Sequence, residues 1–497
     1  MSSLADRLIK GSFLRVLNLI STIAVSLFMI PFVIRVIGDR WYGLWIFAAS
    51  ISGYYGFLDL GLSVAIQRFI SRALGAGDDR EVNVIFNTCL FLFTIGALFV
   101  TITVFVIYAF CPHLVKYAED VRTFQWVIVL VGLDVALYFP TRAFIGFLAA
   151  HVRFEVINAI DLGKLILRTA LIVLFLLRGH GIIALAVITI AVDAFQYLVI
   201  GFYVVRHFPE LKISRKFIVR GRIRPLFDYS AYVFISFLAN ELRFYTDAFV
   251  ITAFMNLSAV THFSIGSRIA DYYMKLVSSA VTQILPVFSK FEGQKDHAQL
   301  REKFLFVSKL TAILSVFLGG SIALYGRAFI LRWMGTPYLD AFAVLAILLF
   351  GLFFHTLLEP SVTLLYGLSK HRFYAIAAAT EGVCNLILSI ILVRRFGLIG
   401  VALGTTIPLV INSVFIIPLY TNRVLGLATS TYARAIVPAI AFGLGVHGAS
   451  WLIIRNMITV GYVRLALLAT ATSVVFLIAN IFVLLTKRER SYFRIPF

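Results

Sequence analysis

Runs of about 20 apolar residues, the length a helix needs to cross a hydrocarbon core of roughly 30 Å, recur along this chain from end to end. Fourteen are legible, at 13–36, 44–66, 84–110, 124–149, 157–177, 182–205, 226–254, 258–286, 304–325, 341–366, 374–393, 399–420, 433–454 and 462–485. Lipid offers no water to peptide groups, so runs of this length must bond their own N–H and C=O groups as helices. Little chain is left over for a soluble domain, and the composition agrees: 61% of the 497 residues are hydrophobic and 14% charged, with a mean hydropathy of +0.96. The expected fold is an all-α polytopic membrane protein of about 14 transmembrane helices.

The net charge of +20 would suit nucleic acid if it were gathered on one face. It alternates between loops instead. With the N-terminus in the cytoplasm, Arg7, Lys10, Arg72, Arg80, Arg153, the stretches 206–224 and 290–309, Lys370, Arg372 and the tail 487–494 share one side, while the short opposite loops carry few bases, such as Lys116, Arg178 and Arg327. That asymmetry predicts both termini in the cytoplasm and basic loops that meet anionic headgroups, with no nucleic-acid partner. Cys89, Cys111 and Cys384 are few and odd in number, so no disulfide framework is expected. The run 13–36 is too long for a signal-peptide core, lacks a small-residue cleavage site, and is expected to remain as the first span.

Charged residues inside such runs are the next constraint. Asn240, Arg243 and Asp247 fall at i, i+3 and i+7, and Arg268, Asp271 and Lys275 repeat the spacing in the following run, so each set shares one helix face. Asp161, Lys164 and Arg168 do the same in the fifth run. An ionised group near the bilayer centre costs roughly 2.5–3.5 kcal/mol on insertion scales, so these faces turn inward, where they mark a substrate or ion path or lock helices together by salt bridges. Asp161 and Lys164 can neutralise one another, which would leave Arg168 as a free cation. Asp59, within Asp59-Leu60-Gly61-Leu62, either binds an ion or caps a helix break at Gly61, and Asp134 and Asp193 stand as isolated acids in the fourth and sixth runs.

The chain also repeats itself. A shift of 220 lays Pro140 on Pro360, His151 on His371 and Asp161 on Glu381; a shift of 218 lays Gly75-Ala76-Gly77-Asp78 on Gly293-Gln294-Lys295-Asp296; a shift of 216 lays Gly181-Ile182-Ile183-Ala184 on Gly397-Leu398-Ile399-Gly400. The unit is six helices. The expected organisation is a lobe at 1–205, a basic cytoplasmic linker at 206–225, a second lobe at 226–422 related by a pseudo-two-fold, and two further helices with a basic tail at 423–497. Two tandem lobes around a central site are the architecture of an alternating-access transporter.

Gly11-Ser12-Phe13, the stretch 31–38, Tyr42-Gly43-Leu44, Asp59-Leu60-Gly61-Leu62, Arg68 and Gly75-Ala76-Gly77-Asp78 resemble the polysaccharide transporter (Wzx-type) oligosaccharide flippases of the multidrug, oligosaccharidyl-lipid and polysaccharide exporter superfamily. Gly397-Leu398-Ile399-Gly400-Val401-Ala402 is similar to that family's eleven-to-twelve turn. The resemblance implies a bacterial inner-membrane flippase that turns an undecaprenyl-pyrophosphate-linked oligosaccharide, an O-antigen, capsule or exopolysaccharide repeat unit, toward the periplasm. It implies coupling to protons or sodium, and polysaccharide polymerase machinery as a partner.

Such a substrate needs cations for pyrophosphate and aromatic or amide groups for sugars. Arg168, Arg243, Arg268, Lys275 and Lys164 are the candidate cations, with Asn240, Tyr245 and Tyr272 as sugar contacts. Asp59, Asp161, Asp247, Asp271, Glu359 and Glu381 are the candidates for ion coupling or gating. Because acids outnumber bases in the spans, a cation-coupled multidrug exporter of the same superfamily is the alternative. An enzyme is not expected, since no polar loop is large enough for a catalytic cluster; nor is a metal or cofactor, because the nine histidines are scattered and no phosphate-binding glycine loop occurs.

Overall fold

The computed structural model describes the backbone of residues 4–484 apart from 56–58, 115–117, 282–283, 295, 369, 371 and 456–460; among further side chains left undescribed, the longest stretch is 229–245. It contains sixteen α-helices and, among the described residues, no strand. Compactness divides the chain into a first unit, Met1–Thr261, and a second, His262–Phe497. This boundary falls one run later than the basic linker at 206–225 on which the sequence repeat centres.

The first unit holds α1 (Leu4–Ile37), α2 (Asp39–Tyr55), α3 (Leu62–Gly75), α4 (Asp79–Leu114), α5 (Ala118–Ala150), α6 (Phe154–Leu177), α7 (Ile182–His207) and α8 (Arg220–Phe254). The second holds nearly all of α9 (Leu257–Val281), then α10 (Leu285–Gly293), α11 (His297–Trp333), α12 (Ala341–Gly367), α13 (Arg372–Ile411), α14 (Ile417–Leu425), α15 (Thr429–Ile454) and α16 (Tyr462–Val483). Among the described residues nine stretches are long and apolar enough to cross a membrane, and one of them, Arg372–Leu425, has 54 residues, enough for two crossings. α6 and α9 miss that standard because each carries one of the charged faces, and the second run misses it because it is broken; α8 includes the undescribed side chains 229–245.

One apolar run is interrupted, as the helix break weighed at Gly61 allows. The run 44–66 is not one helix: α2 and α3 are separated around Asp59, where Leu60 (φ 49°) and Gly61 (φ 77°) adopt left-handed backbone. Gly61 does so at no steric cost, whereas Leu60 is strained. The eleventh and twelfth runs are two helices, as their separate runs predict; they meet at a non-helical Gly397 (φ 55°, ψ −130°), are numbered together as α13, and are followed by a π-turn at Asn412–Ile416 before α14. The two arms of α13 approach closely enough that a Cβ on Gly404 would overlap the Ser389 backbone.

The repeat is visible in local geometry. Asp78 N donates to Ala73 O at 3.0 Å and Asp296 N to Phe291 O at 3.0 Å. The same aspartates then cap the next helix, Asp78 Oδ1 accepting from Glu81 N at 2.8 Å and Asp296 Oδ1 from Gln299 N at 3.0 Å. Pro140 and Pro360 lie inside α5 and α12. The core of the first unit is largely aromatic, with Phe86 edge-on to Phe147 at 5.7 Å and Phe93 edge-on to Phe139 at 6.4 Å.

The stretch from 208 to 219 does not hang free. Asn83 Oδ1 accepts from Lys212 N at 2.6 Å and its Nδ2 donates to Glu210 O at 3.2 Å; Asn87 Oδ1 accepts from Ser214 N at 2.9 Å and its Nδ2 donates to Lys212 O at 2.9 Å. Val219 N reaches Thr88 Oγ1 at 3.3 Å, and Arg222 pairs with Glu81 at 3.0 Å. Side-chain amides of α4 thus supply the pairing that a neighbouring strand would give, and strap the basic segment across the helix.

Candidate functional site

In the first unit the charged residues of α5, α6 and α7 converge. Arg142, on α5, lies 2.9 Å from Asp59, which also accepts from Ser63 Oγ at 2.7 Å. The Arg142 guanidinium sits 4.9 Å from the rings of both Tyr138 and Phe139, so its charge faces a carboxylate and π-clouds rather than lipid. Tyr138 packs on Tyr197 at 5.6 Å, and the Tyr197 hydroxyl donates to Asp134 at 3.0 Å. Asp193, buried on α7, binds Arg168 directly and Lys164 at 3.5 Å. Asp161 instead accepts from Gln196 Nε2 at 2.5 Å.

This corrects the expected pairing. Lys164 turns to Asp193 and Arg168 is not free, because one helix turn separates each from the next and Asp193 lies across from both. Counting the network, three cations (Arg142, Lys164, Arg168) meet four carboxyl groups (Asp59, Asp134, Asp161, Asp193). With every group ionised the balance is one negative charge, which a single proton or monovalent cation neutralises.

The second unit carries a related arrangement between the arms of α13 and the π-turn. Glu381, 4% exposed, accepts from Asn412 Nδ2 at 2.5 Å. Asn385 Oδ1 accepts from Ser389 Oγ at 3.0 Å and Thr405 Oγ1 at 3.3 Å. The shift of 220 that lays Asp161 on Glu381 has its counterpart in the shift of 216, which lays Gln196 on Asn412. Each unit therefore contains one carboxylate bound by a carboxamide from the following arm. In each, the carboxamide oxygen, Gln196 Oε1 or Asn412 Oδ1, is buried without a hydrogen-bond partner among the described residues. A buried unpaired oxygen beside a carboxylate costs free energy unless a proton or cation arrives to use it.

The remaining candidates are more dispersed. On α9, Asp271 pairs with Lys275 at 2.8 Å rather than with Arg268, which is half-buried and has no ion-pair partner among the described residues. Tyr272 is buried beside Tyr273, whose hydroxyl lies 2.8 Å from Thr356 Oγ1. Glu359 accepts from Ser278 Oγ at 2.5 Å, and Asp247 is buried on α8. The side chains of Asn240, Arg243 and Tyr245 lie outside the described residues. Sequence reasoning passed over Arg142, Gln196, Tyr197 and Asn412. Gln196 and Tyr197 follow Asp193 at i+3 and i+4, so the face was legible had that acid not been read as isolated, and carrying the 216-residue shift one helix further reaches Asn412.

Among the described residues no three His, Cys, Asp or Glu are grouped to hold a metal ion. Residues 57–343 match a family model described as polysaccharide biosynthesis protein. The chain is 22% identical over 424 residues to the "Putative O-antigen transporter" of Shigella flexneri, covering 84% of this chain and 98% of that one. Among solved structures its fold is similar to the lipid II flippase MurJ in an inward closed conformation (TM-score 0.68, 16% identity, 96% and 98% of the two chains). It is also similar to an inward-facing multidrug resistance MATE family transporter of the MOP superfamily (TM-score 0.66, 16% identity, 81% and 94%).

Proposed function

The chain belongs to the polysaccharide biosynthesis protein family, and on that footing we propose that it is a flippase for an undecaprenyl-pyrophosphate-linked oligosaccharide. The cargo is the repeat unit of an O-antigen, capsule or exopolysaccharide, carried from the cytoplasmic to the periplasmic leaflet of a bacterial inner membrane by alternating access of two repeat-related lobes, 1–205 and 226–422. The observation that carries this reading is a match along 98% of a relative described as an O-antigen transporter. The candidate cations fit an anionic head. Arg268 and Lys275, with Arg243, offer charge-assisted hydrogen bonds to pyrophosphate, and Tyr272, Asn240 and Tyr245 serve the sugars.

Coupling follows from competition. Arg168 and Lys164 are held by Asp193, so a phosphate that binds them has to compete with that carboxylate for both cations. Asp161 and Glu381, each with a carboxamide whose oxygen has no partner among the described residues, act as equivalent ion or gate sites in the two lobes.

The test is flipping of a synthetic polyprenyl-pyrophosphate oligosaccharide in proteoliposomes, with the lipid that accumulates in a deletion strain identifying the natural cargo. Asp161→Asn and Glu381→Gln are each expected to abolish the response to an imposed ion gradient while leaving folded protein, and Arg268→Lys to retain only part of the wild-type rate because the bidentate fork is lost. Gradient-driven flipping at the wild-type rate in both carboxylate variants would return them to helix packing. The one carboxyl in excess of cations in the network of α5, α6 and α7 favours one other reading, an exporter of organic cations; uptake of ethidium rather than lipid turnover would establish it.

A further inference from the structure

We propose that a cleft at one end of the second unit, between α11, α15 and α16, is a binding site for the headgroup of an anionic glycerophospholipid. The cleft has a volume of 460 Å³ and is lined on α11 by Glu302, Lys303 and Lys309 and on α15 by Arg434. Three cations against one carboxylate leave it positive. Roughly 300–1,000 Å³ is the usual range for a small-molecule site, so the space suits a phosphoglycerol head and the first carbons of its chains.

The helix register explains why these groups meet. Glu302, Leu305, Phe306 and Lys309 fall at i, i+3, i+4 and i+7 and make one face of α11, while Arg434, Pro438 and Ala439 make one face of α15. Ala439 is 1% exposed and belongs with Leu484 to the apolar cluster around Ala312, so the floor is dry. The wall is lipid-facing, since Val437 and Val483 beside it are 53% and 62% exposed. A cationic mouth over an apolar floor that opens sideways takes an amphiphile rather than a free anion. Arg434 stands five residues inside α15, about 8 Å along its axis, with Pro438 and Ala439 one turn further on.

The neighbouring basic groups have other duties. Arg301 caps the end of α14 by donating to Leu425 O at 2.6 Å, so the cleft cations are a separate set. Charge also argues against the chain's own tail as occupant, because 485–497 carries Lys487, Arg488, Arg490 and Arg494 against Glu489. Basic pockets between helices at a membrane surface are where anionic lipid heads bind. The site requires only that the chain spans a membrane, and it stands whatever the transported substrate.

The experiment uses the full chain purified in a neutral detergent, with dioctanoyl phosphatidylglycerol, dioctanoyl phosphatidylcholine and inorganic pyrophosphate added separately. Thermal unfolding and native mass spectrometry are the readouts. Phosphatidylglycerol is expected to raise Tm and to be retained as a one-to-one complex, the other two not. Lys303→Ala with Arg434→Ala should weaken that binding about tenfold, and Glu302→Gln, which removes the one negative group, should strengthen it several-fold. Arg215→Ala with Lys216→Ala, in the exposed strap of the first unit, should change nothing. Equal retention of the two lipids, no effect of phosphatidylglycerol on the wild type, or loss through the strap variant instead would overturn the assignment. Pyrophosphate binding as well as the lipid would make the cleft a free-anion site and overturn it too. If the double variant does not fold, Glu302→Gln decides, and unchanged affinity there counts against the proposal.

Discussion

Arg142 touches Asp59 at 2.9 Å and lies over two rings, yet its Nε finds no partner among the described residues, where one carboxylate and packing hold the arginine. Arg142→Ala strands Asp59 beside an apolar helix, a loss of about 3 kcal/mol for a mostly buried pair. Arg142→Met with Asp59→Asn should cost less than the single alanine change, and unfolding of both variants in detergent measures the difference. His151 makes a different kind of statement. Its ring packs on Phe147 at 4.2 Å and Phe208 at 4.6 Å, its Nδ1 meets Phe147 O at 2.9 Å, and burial holds its pKa below the ordinary 6.5, with Arg153 adding in the same direction and Glu210 opposing. The unfolded chain therefore takes up the proton first as pH falls. The stability this histidine contributes is complete above pH 6.5 and is lost progressively below it. Tm should fall more steeply between pH 7.5 and 5.5 in the wild type than in His151→Phe, and parallel profiles would remove His151 as the cause. Such residues were only partly legible beforehand: an arginine in an apolar run announces that it needs a partner, but which acid supplies it depends on helix rotation.

Elements were more legible than their interruptions. Run length locates the long helices because hydrocarbon thickness fixes it, and charge on one face separates α6 and α9 from the others. The break at Leu60 was harder to read, since leucine gives no warning of left-handed backbone and only the adjoining glycine hinted at it. The fold-back at Gly397 kept its glycine signal, yet the chain stays helical on both sides and needs no loop. The strap over α4 was not legible at all. Its basic residues suggested a solvated linker, whereas the residues that fix it, Asn83, Asn87 and Thr88, lie some 125 positions earlier and look like ordinary polar ends of a helix. Asn87→Ala removes two of these bonds, worth about 1 kcal/mol each, and uncovers the peptide groups of Lys212 and Ser214. Limited trypsin cleavage after Lys212, Arg215 and Lys216 should speed up several-fold in that variant with global Tm little changed. Unaltered cleavage would mean that the strap is held elsewhere.

For the whole molecule, the asymmetry of lysine and arginine makes the sharpest statement. Single cysteines placed within 206–224 and after residue 485 should resist impermeant thiol reagents in intact cells and react once the membrane is opened; labelling from outside at either place would reverse the orientation and undo the crossing count with it. The repeat sharpens the reading of the interior, because shifts of 216 to 220 relate a capping aspartate and a carboxylate–carboxamide pair in one unit to their counterparts in the other. The strap also sets an order of events in synthesis. Asn83 and Asn87 leave the ribosome about 125 residues before the backbone they bind, a delay of roughly 6 to 25 s at 5–20 residues per second. During that wait their Nδ2 groups can bond the carbonyls of Asp79 and Asn83 one turn back, but their Oδ1 atoms have only water, which is available because they sit in the first three turns of α4, at its wet end. Placed two turns deeper, the same Oδ1 atoms would enter lipid unpaired and burden the insertion of α4. The strap can therefore close only after six crossings are made, and it marks the moment at which the first half of the chain is finished.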